Sequence, residues 1–180
     1  MNHESAVDRM YALYVVDAKS GEKVDVNIRT ATDEDFAETK SWQTNWASAY
    51  AKSLPNKVAL YRTDQEELLG LMSYDLDECA LAVEVIYLES AYHSNANLLR
   101  ISGKQKRYIG IAKAMFAYAV QISIDAGFDG VLIFKAKTSE LLRYYMDEFG
   151  ARPVGAYDQF RLVIWEDAAA QLIEEYAKGV

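Results

Sequence analysis

Length and composition place this chain among ordinary folded proteins. Its 180 residues are 51% hydrophobic and 26% charged, which predicts a single folded domain and excludes an intrinsically disordered chain. No apolar run approaches the roughly 18 to 20 residues that a membrane span needs, and the first residues lack the basic and then apolar layout of a secretion signal. We therefore expect a cytoplasmic protein without a membrane partner.

The net charge of the chain and its few potential metal ligands argue against some classes of function. The formal net charge of −8 argues against a general nucleic-acid surface, because phosphate backbones demand an excess of Lys and Arg, and it favours a cationic acceptor. The single cysteine, Cys79, excludes an internal disulfide, and His3 and His93 are too far apart to give metal-ligand spacing. We expect no metal and no nucleic-acid partner, and a homodimer is left open.

The first half of the chain predicts two hairpins. Residues 11–17 and 24–30 have the pattern of two strands around a short polar turn that contains a glycine. Residues 58–62 and 68–74 form a second such pair, again separated by a polar turn. The pattern therefore predicts an antiparallel start to the sheet.

A helix is predicted between the two hairpins. Residues 33–53 begin with acidic side chains, which favour the start of a helix, and Pro55 follows as a stop signal. Large aromatic residues recur at spacings of mostly four, as on one helix face. These residues are Phe36, Trp42, Trp46 and Tyr50.

The second half of the chain predicts alternating strands and helices. Residues 80–89 have the β-branched and aromatic content of a buried strand, residues 107–126 form a long apolar helix that Gly127 ends, and residues 131–136 form another buried strand. Such a unit normally makes a parallel strand pair through a right-handed crossover. The remaining predicted elements are a helix capped by Thr138 and ended by Gly150, a strand at 160–165 and a helix at 166–178.

The most informative motif precedes the long helix. Arg107–Ala112 has the pattern R-x-x-G-x-A, it follows the basic stretch 102–106, and no Asp or Glu occurs from Ser90 to Ile124. The first turn of a helix has unpaired N–H groups and the positive end of the dipole, and a glycine lets an anion approach the backbone. The sequence therefore predicts a phosphate-binding turn.

Further motifs surround this turn. They are Glu89-Ser90-Ala91 at the strand end, K-x-K-R-Y-x-G-x-A over residues 104–112, Gly127-Phe128-Asp129-Gly130, and Ala136-Lys137-Thr138 at a helix start. With them the chain resembles the GCN5-related N-acetyltransferases (GNAT), in particular a bacterial subgroup, over roughly residues 24–166 and most strongly over 85–151. The resemblance implies an α/β fold with a mixed sheet, in which a splayed parallel strand pair is flanked by helices. We expect an acetyltransferase domain at 24–180, preceded by an N-terminal extension at 1–23 for which a strand of the sheet is left open.

The resemblance also implies the co-substrate, which is acetyl-coenzyme A. Its pantetheine arm would pair with main-chain groups near Tyr87 and Leu88. Lys113, with Lys104 and Lys106, would add positive charge near the phosphates, although a solvated basic surface remains the alternative for each lysine. The pyrophosphate would be held by the backbone N–H groups of Arg107, Tyr108, Ile109, Gly110, Ile111 and Ala112.

Acetyl transfer to an amine needs a proton acceptor and a proton donor. A lysine-like amine has a pKa near 10.4, so only about one molecule in a thousand is neutral at pH 7. Glu89 is the first candidate base, with Glu84 or a water as alternatives. For each of the two carboxylates, the alternative is a strand residue that forms a salt bridge or faces solvent. Tyr145 is the first candidate donor to the leaving thiolate, followed by Tyr144, and core packing is the alternative for Tyr145. Met146 stands where many family members carry this tyrosine.

The expected activity is therefore an N-acetyltransferase that acts on a primary amine of a small molecule, peptide or protein. An alternative is a coenzyme A-binding GNAT-like regulatory or interaction module without efficient transfer. A second alternative is an unrelated α/β interaction domain in which the glycine turn only joins strand to helix. Acetylation of a charged transfer RNA is disfavoured by the acidic balance of the chain.

Overall fold

The computed structural model describes residues 12–177, so residues 1–11 of the expected N-terminal extension and residue 178 of the last predicted helix lie outside the described residues. The chain divides into two compact units. We call Leu13–Ser73 with Tyr87–Met115 the amino-terminal unit, and Tyr74–Ile86 with the chain from Phe116 onward the carboxy-terminal unit. Within residues 12–177, no helix is both long and apolar enough to cross a membrane.

The strands follow the predicted order, with two short additions. In chain order they are β1 (Tyr14–Asp17), β2 (Lys23–Thr30), β3 (Lys57–Arg62), β4 (Glu67–Asp77), β5 (Ala82–Ser90), β6 (Tyr108–Ile109), β7 (Leu132–Lys135), β8 (Arg152–Pro153) and β9 (Arg161–Ile164). The sequence did not predict β6 and β8. Each has only two residues, which is too short for a hydrophobic pattern.

The amino-terminal unit contains strands in the order β6-β1-β2-β3, followed by β4 as far as Ser73. β2 and β3 are antiparallel, with Ile28 opposite Leu60, and β3 continues into an antiparallel hairpin with β4. β6 is antiparallel to β1, with Tyr108 opposite Asp17. This last pairing attaches the chain just before the long helix to the edge of the sheet.

The carboxy-terminal unit contains the parallel pair. Val83 of β5 lies opposite Leu132 of β7, and the register continues to Val85 opposite Phe134. β9 lies antiparallel to β7, and β8 lies antiparallel to β9. The expected fold class, an α/β protein with a mixed sheet that includes a parallel pair and is flanked by helices, is confirmed.

The helices are α1 (Asp33–Ala37), α2 (Ala49–Lys52), α3 (Ala96–Ser102), α4 (Ile111–Asp125), α5 (Ser139–Phe149) and α6 (Glu166–Glu174). α4 begins later than predicted, because the residues before Gly110 pair with β1 instead of joining the helix. In the carboxy-terminal unit, the Phe116 ring of α4 packs edge-on against Phe134 at 4.9 Å and Phe149 at 5.1 Å between centroids. The apolar face of α4 is thereby buried, as predicted.

The single helix predicted for residues 33–53 is wrong. α1 ends early, a 3-10 turn follows, and residues 42–48 are irregular before α2 begins. The cause is Thr39, whose hydroxyl donates to the carbonyl of Phe36 at 2.7 Å and accepts from the N–H of Trp46 at 2.9 Å. These bonds replace helical ones and turn Trp46 fully into the core. The aromatic spacing that suggested a helix face reflects core packing of this irregular segment.

Candidate functional site

The glycine turn lies in the amino-terminal unit, between β6 and α4. α4 begins directly after Gly110, whose carbonyl accepts a hydrogen bond from the N–H of Ala114 at 3.0 Å. A helix that begins there leaves the N–H groups of its first turn without acceptors inside the helix. The turn therefore presents the positive end of the α4 dipole next to a strand that is fixed to the sheet.

Gly110 suits close approach by a ligand. Its φ is +95°, in the left-handed region that favours glycine. A Cβ built on Gly110 meets no atom within 4 Å, so the space beside its backbone is open. The turn therefore has the backbone conformation and the clearance that a bound anion needs.

Part of the predicted pyrophosphate site is engaged within the protein. The N–H of Arg107 donates to the carbonyl of His93 at 2.8 Å, and the N–H of Tyr108 donates to the hydroxyl of Ser94 at 3.0 Å. These two groups hold the turn in place, so they are not directed at a ligand. The N–H of Ile109 is also used within the protein, because Ile109 lies opposite Val16 in the β6–β1 ladder. The pyrophosphate prediction is therefore kept for Gly110, Ile111 and Ala112.

The residues around the turn form an exposed basic segment. All of residues 100–107 are exposed, and their charged members are Arg100, Lys104, Lys106 and Arg107. The Arg107 guanidinium lies 3.0 Å from the Glu67 carboxylate, so its charge is partly neutralised. The two lysines, together with Lys113 in the first turn of α4, remain the predicted contacts for phosphate groups.

The end of β5 carries a buried hydrogen-bond cluster in the amino-terminal unit. Glu89 is 3% exposed, and its carboxylate accepts from the indole N–H of Trp46 at 2.9 Å and from the backbone N–H of Thr44 at 3.1 Å. Tyr87 lies beside it, since its hydroxyl shares a 2.5 Å hydrogen bond with the Thr44 hydroxyl and its ring contacts Trp46 edge-on at 5.5 Å. Half-buried Leu88 lies between the two. The cluster anchors residues 42–48 to the end of β5.

The predicted proton donor lies in the carboxy-terminal unit. The Tyr145 ring contacts Phe134 at 5.0 Å and Phe149 at 5.5 Å between centroids. Burial, with a smaller contribution from Tyr144, raises the pKa of Tyr145 to about 12. The phenol therefore stays protonated at neutral pH and can donate a hydrogen bond. The alternative base, Glu84, is half-buried and lies opposite Ile133 in the parallel pair.

Sequence reasoning missed two contacts of this site. The bond between Trp46 and Glu89 joins residues far apart in sequence, and the aromatic repeat had placed Trp46 on a helix face. Glu67 had been assigned to a polar turn, yet its carboxylate accepts from the Tyr108 hydroxyl at 3.1 Å. In the part of the chain that the structure describes, no group of three or more His, Cys, Asp or Glu is arranged to hold a metal ion.

Comparison with known proteins identifies the fold. No protein-family model and no curated protein matches the chain. A GNAT-family acetyltransferase from Listeria monocytogenes 4b F2365 matches 84% of this chain and 98% of its own, with a TM-score of 0.53 and 12% identity. AtaTR bound with acetyl-coenzyme A matches 82% and 98%, with a TM-score of 0.53 and 16% identity. AtaT complexed with acetyl-methionyl-tRNAfMet matches 82% and 99%, with the same TM-score and identity of 0.53 and 16%.

The chain thus has the fold of GNAT-family acetyltransferases, and these neighbours correct the expectations about partners. One neighbour of the same fold forms a complex with an acetylated aminoacyl-tRNA. The exclusion of nucleic acid, and the restriction of the acceptor to a small-molecule or peptide amine, are therefore wrong. The physical reason is that a net charge of −8 averages over the whole chain, whereas residues 100–107 form a local basic surface.

Proposed function

We propose that the protein is an N-acetyltransferase that moves the acetyl group of acetyl-coenzyme A to a primary amine. The observation that carries the proposal is the glycine turn at Gly110, open to an approaching anion, at the start of a helix in a GNAT fold. The pyrophosphate binds the N–H groups from Gly110 to Ala112, and Lys104, Lys106 and Lys113 attract the phosphates. The pantetheine arm pairs with main-chain groups near Tyr87 and Leu88.

In the proposed reaction, the neutral amine attacks the thioester carbonyl, an N–C bond forms, and the C–S bond breaks. The amine loses a proton and the coenzyme A thiolate gains one. Glu89 is our candidate acceptor of the first proton. Its carboxylate has about four acceptor positions, of which Trp46 and Thr44 use part, so Oε1 retains capacity for a further hydrogen bond. Tyr145, protonated at neutral pH, is our candidate donor to the thiolate.

We further propose that the acceptor is the α-amine of an aminoacyl-tRNA. The exposed basic surface at 100–107 and the likeness to AtaT support this acceptor class. The protonation chemistry also fits, because an α-amino group has a pKa of about 7.7 to 8.0 in peptides, against about 10.4 for a lysine side chain. At pH 7 roughly a tenth of such amines are already neutral. Proton removal by Glu89, which is buried and already accepts hydrogen bonds, is therefore needed less than for a lysine side chain.

The direct test uses acetyl-coenzyme A labelled in the acetyl group. We expect label in aminoacyl-tRNA, and none in deacylated tRNA or in the matching free amino acid. Label in the free amino acid alone would overturn the tRNA proposal and retain acetyl transfer.

The engagement of Glu89 by Trp46 and Thr44 favours one other outcome, a coenzyme A-binding module without efficient transfer. Tight binding of acetyl-coenzyme A in isothermal titration, with no transfer to any charged tRNA, would establish that alternative. Absence of binding would overturn both.

A further inference from the structure

A network of polar side chains surrounds Glu67 in the amino-terminal unit. Its carboxylate accepts from the Tyr108 hydroxyl at 3.1 Å and from the Arg107 guanidinium at 3.0 Å. The His93 Nε2 atom lies 3.2 Å from the same carboxylate. Three groups from the 93–108 connection therefore converge on the first residue of β4.

The hydrogen bonds continue from Glu67 to the backbone of the turn. We assign the proton of His93 to Nε2, because this atom faces a carboxylate; Nδ1 then accepts from the Ser94 hydroxyl at 2.7 Å. The oxygen of that hydroxyl accepts from the N–H of Tyr108 at 3.0 Å. A second route runs directly from Glu67 to the Tyr108 hydroxyl. Glu67 is thus connected to both the side chain and the backbone of Tyr108.

Tyr108 is held rigidly by its surroundings. It is 1% exposed, and its ring meets His93 edge-on at 5.5 Å between centroids. Its hydroxyl also accepts from Arg62 at 2.9 Å, and Arg62 is the residue opposite Glu67 in the β3–β4 hairpin. Since Tyr108 lies two residues before Gly110, its position sets where the N–H groups of the turn point.

We infer that Glu67 is a positioning residue for the pyrophosphate turn. It holds Tyr108 and Arg107 in the orientation that aims the turn from Gly110 to Ala112 at the coenzyme A phosphates. The inference rests on the proposed function, and no side-chain contact between Glu67 and the ligand is needed. Glu67 also restrains Arg107, which would otherwise be free to adopt other orientations beside the turn.

The test measures the affinity of two donors that differ in the pyrophosphate. Acetyl-coenzyme A carries it, and S-acetylpantetheine does not. Glu67→Gln keeps the size of the side chain but replaces one acceptor oxygen by a donor group. We expect it to weaken acetyl-coenzyme A binding about fivefold to twentyfold and to leave S-acetylpantetheine affinity, measured by competition, unchanged.

Two further variants make the test specific. Tyr108→Phe keeps the buried ring and removes only the hydroxyl, so it should give the same donor-selective loss. The double variant should lose less than the two single losses combined, because both variants remove the contact between Glu67 and the Tyr108 hydroxyl. Glu66→Gln removes the same charge from the exposed neighbouring residue and should change neither affinity.

The outcomes separate this inference from the proposed function. Equal weakening of both donors by Glu67→Gln would show a general structural role and overturn the inference. Unchanged affinity for acetyl-coenzyme A in a folded variant would overturn it as well. If the wild-type protein bound both donors equally, the pyrophosphate turn itself would be refuted, and the inference would fall with it.

Discussion

Glu89 and Glu67, two glutamates of the amino-terminal unit, show different uses of a carboxylate. Glu89 is almost fully buried and accepts from the uncharged N–H groups of Trp46 and Thr44. The Glu67 side chain is 23% exposed and faces a guanidinium, an imidazole and a phenol. Glu89 anchors a loop against a strand end, whereas Glu67 orders the chain that leads into the glycine turn.

The comparison shows that the location of a carboxylate at a strand end does not determine its role. Glu89 was predicted to be the base because it closes a strand, and its partners also tie residues 42–48 to β5. Glu89 can be both a base and an anchor for this loop, because its carboxylate has an acceptor position left. Variants that change the partners rather than the carboxylate separate the two functions.

The largest effect is expected for Glu89→Gln. The amide keeps the shape but removes the basicity, so turnover should fall by about 10² to 10⁴ at neutral pH and recover in part as rising pH deprotonates the amine. Trp46→Phe is the matched variant, because it retains an aromatic ring and removes the N–H donor to Glu89. We expect it to lower turnover less than about tenfold. The measurement is the pH profile of kcat for both variants.

Equal losses in the two variants would contradict the assignment of Glu89 as the base. If neither loss recovered at high pH, Glu89 would be a loop anchor, and a water would remain as the proton acceptor. The melting temperature of each variant should be measured alongside, because a misfolded loop would lower stability as well as turnover.

Gly110→Val should weaken acetyl-coenzyme A binding about tenfold to hundredfold. A β-branched residue at a φ of +95° is strained, and its side chain would occupy the open space that the ligand needs, at a cost of about 1 to 3 kcal/mol. Gly103→Ala is the control, since Gly103 also has a positive φ of +69° and open space around it. That variant should lose stability but not affinity. Unchanged affinity in folded Gly110→Val would remove this turn from the site.

Tyr145→Phe should lower turnover by about tenfold while acetyl-coenzyme A affinity and thermal stability hold, because the packed ring is retained. The loss is smaller than for Glu89→Gln because Tyr144 is adjacent and can substitute. The pKa of Tyr145, raised to about 12, keeps the hydroxyl protonated well above neutral pH, so this group should cause no decline in rate between pH 7 and about pH 10. Full activity in the Tyr144→Phe, Tyr145→Phe double variant would refute the donor role.

The helices and strands with long hydrophobic patterns were predicted correctly from the sequence. The β5, α4 and β7 unit was identified with its parallel pairing, because a 15-residue apolar helix between two buried strands has few other arrangements. The capping residue Thr138 was also identified correctly, since its hydroxyl accepts from Leu141. These features depend on local propensity and on periodicity, which a single sequence contains.

The missed features depend on contacts between distant residues. Thr39 and Trp46 break the predicted helix through a bond that no local pattern signals. Glu67 and Tyr108 are 41 residues apart, and neither has a motif that connects them. The glycine turn itself was found, but the use of the Arg107 and Tyr108 N–H groups inside the protein was not, because both bonds come from the His93–Ser94 segment.

The smallest effect concerns a third carboxylate, Asp35, which serves as a reference for a purely structural role. It accepts a bidentate pair of hydrogen bonds from Arg29 at 2.5 and 2.8 Å and closes the capping box of α1 with Thr32. Burial alone would raise the pKa of Asp35, but the bonds from Arg29 and Thr32 outweigh burial and hold the pKa below its usual value. Asp35→Asn should therefore lower the free energy of unfolding by about 1 to 2 kcal/mol at pH 7, without changing turnover measured well below the melting temperature.

The sign of the pH dependence follows from the lowered pKa of Asp35. The stabilisation is fully present above the unfolded pKa of about 3.9 and is lost as pH falls through the folded value, because protonation removes the charge that Arg29 binds. Urea unfolding at pH 7 and in steps below pH 4 should show the wild type and Asp35→Asn converging in acid. Asp33→Asn, at an exposed position in the same helical turn, should change stability by less than about 0.5 kcal/mol. A difference in the free energy of unfolding between wild type and Asp35→Asn that persisted unchanged to pH 2 would show that the ion pair is not its source. A loss of turnover in Asp35→Asn at pH 7 would show that Asp35 is not a purely structural reference for Glu89 and Glu67.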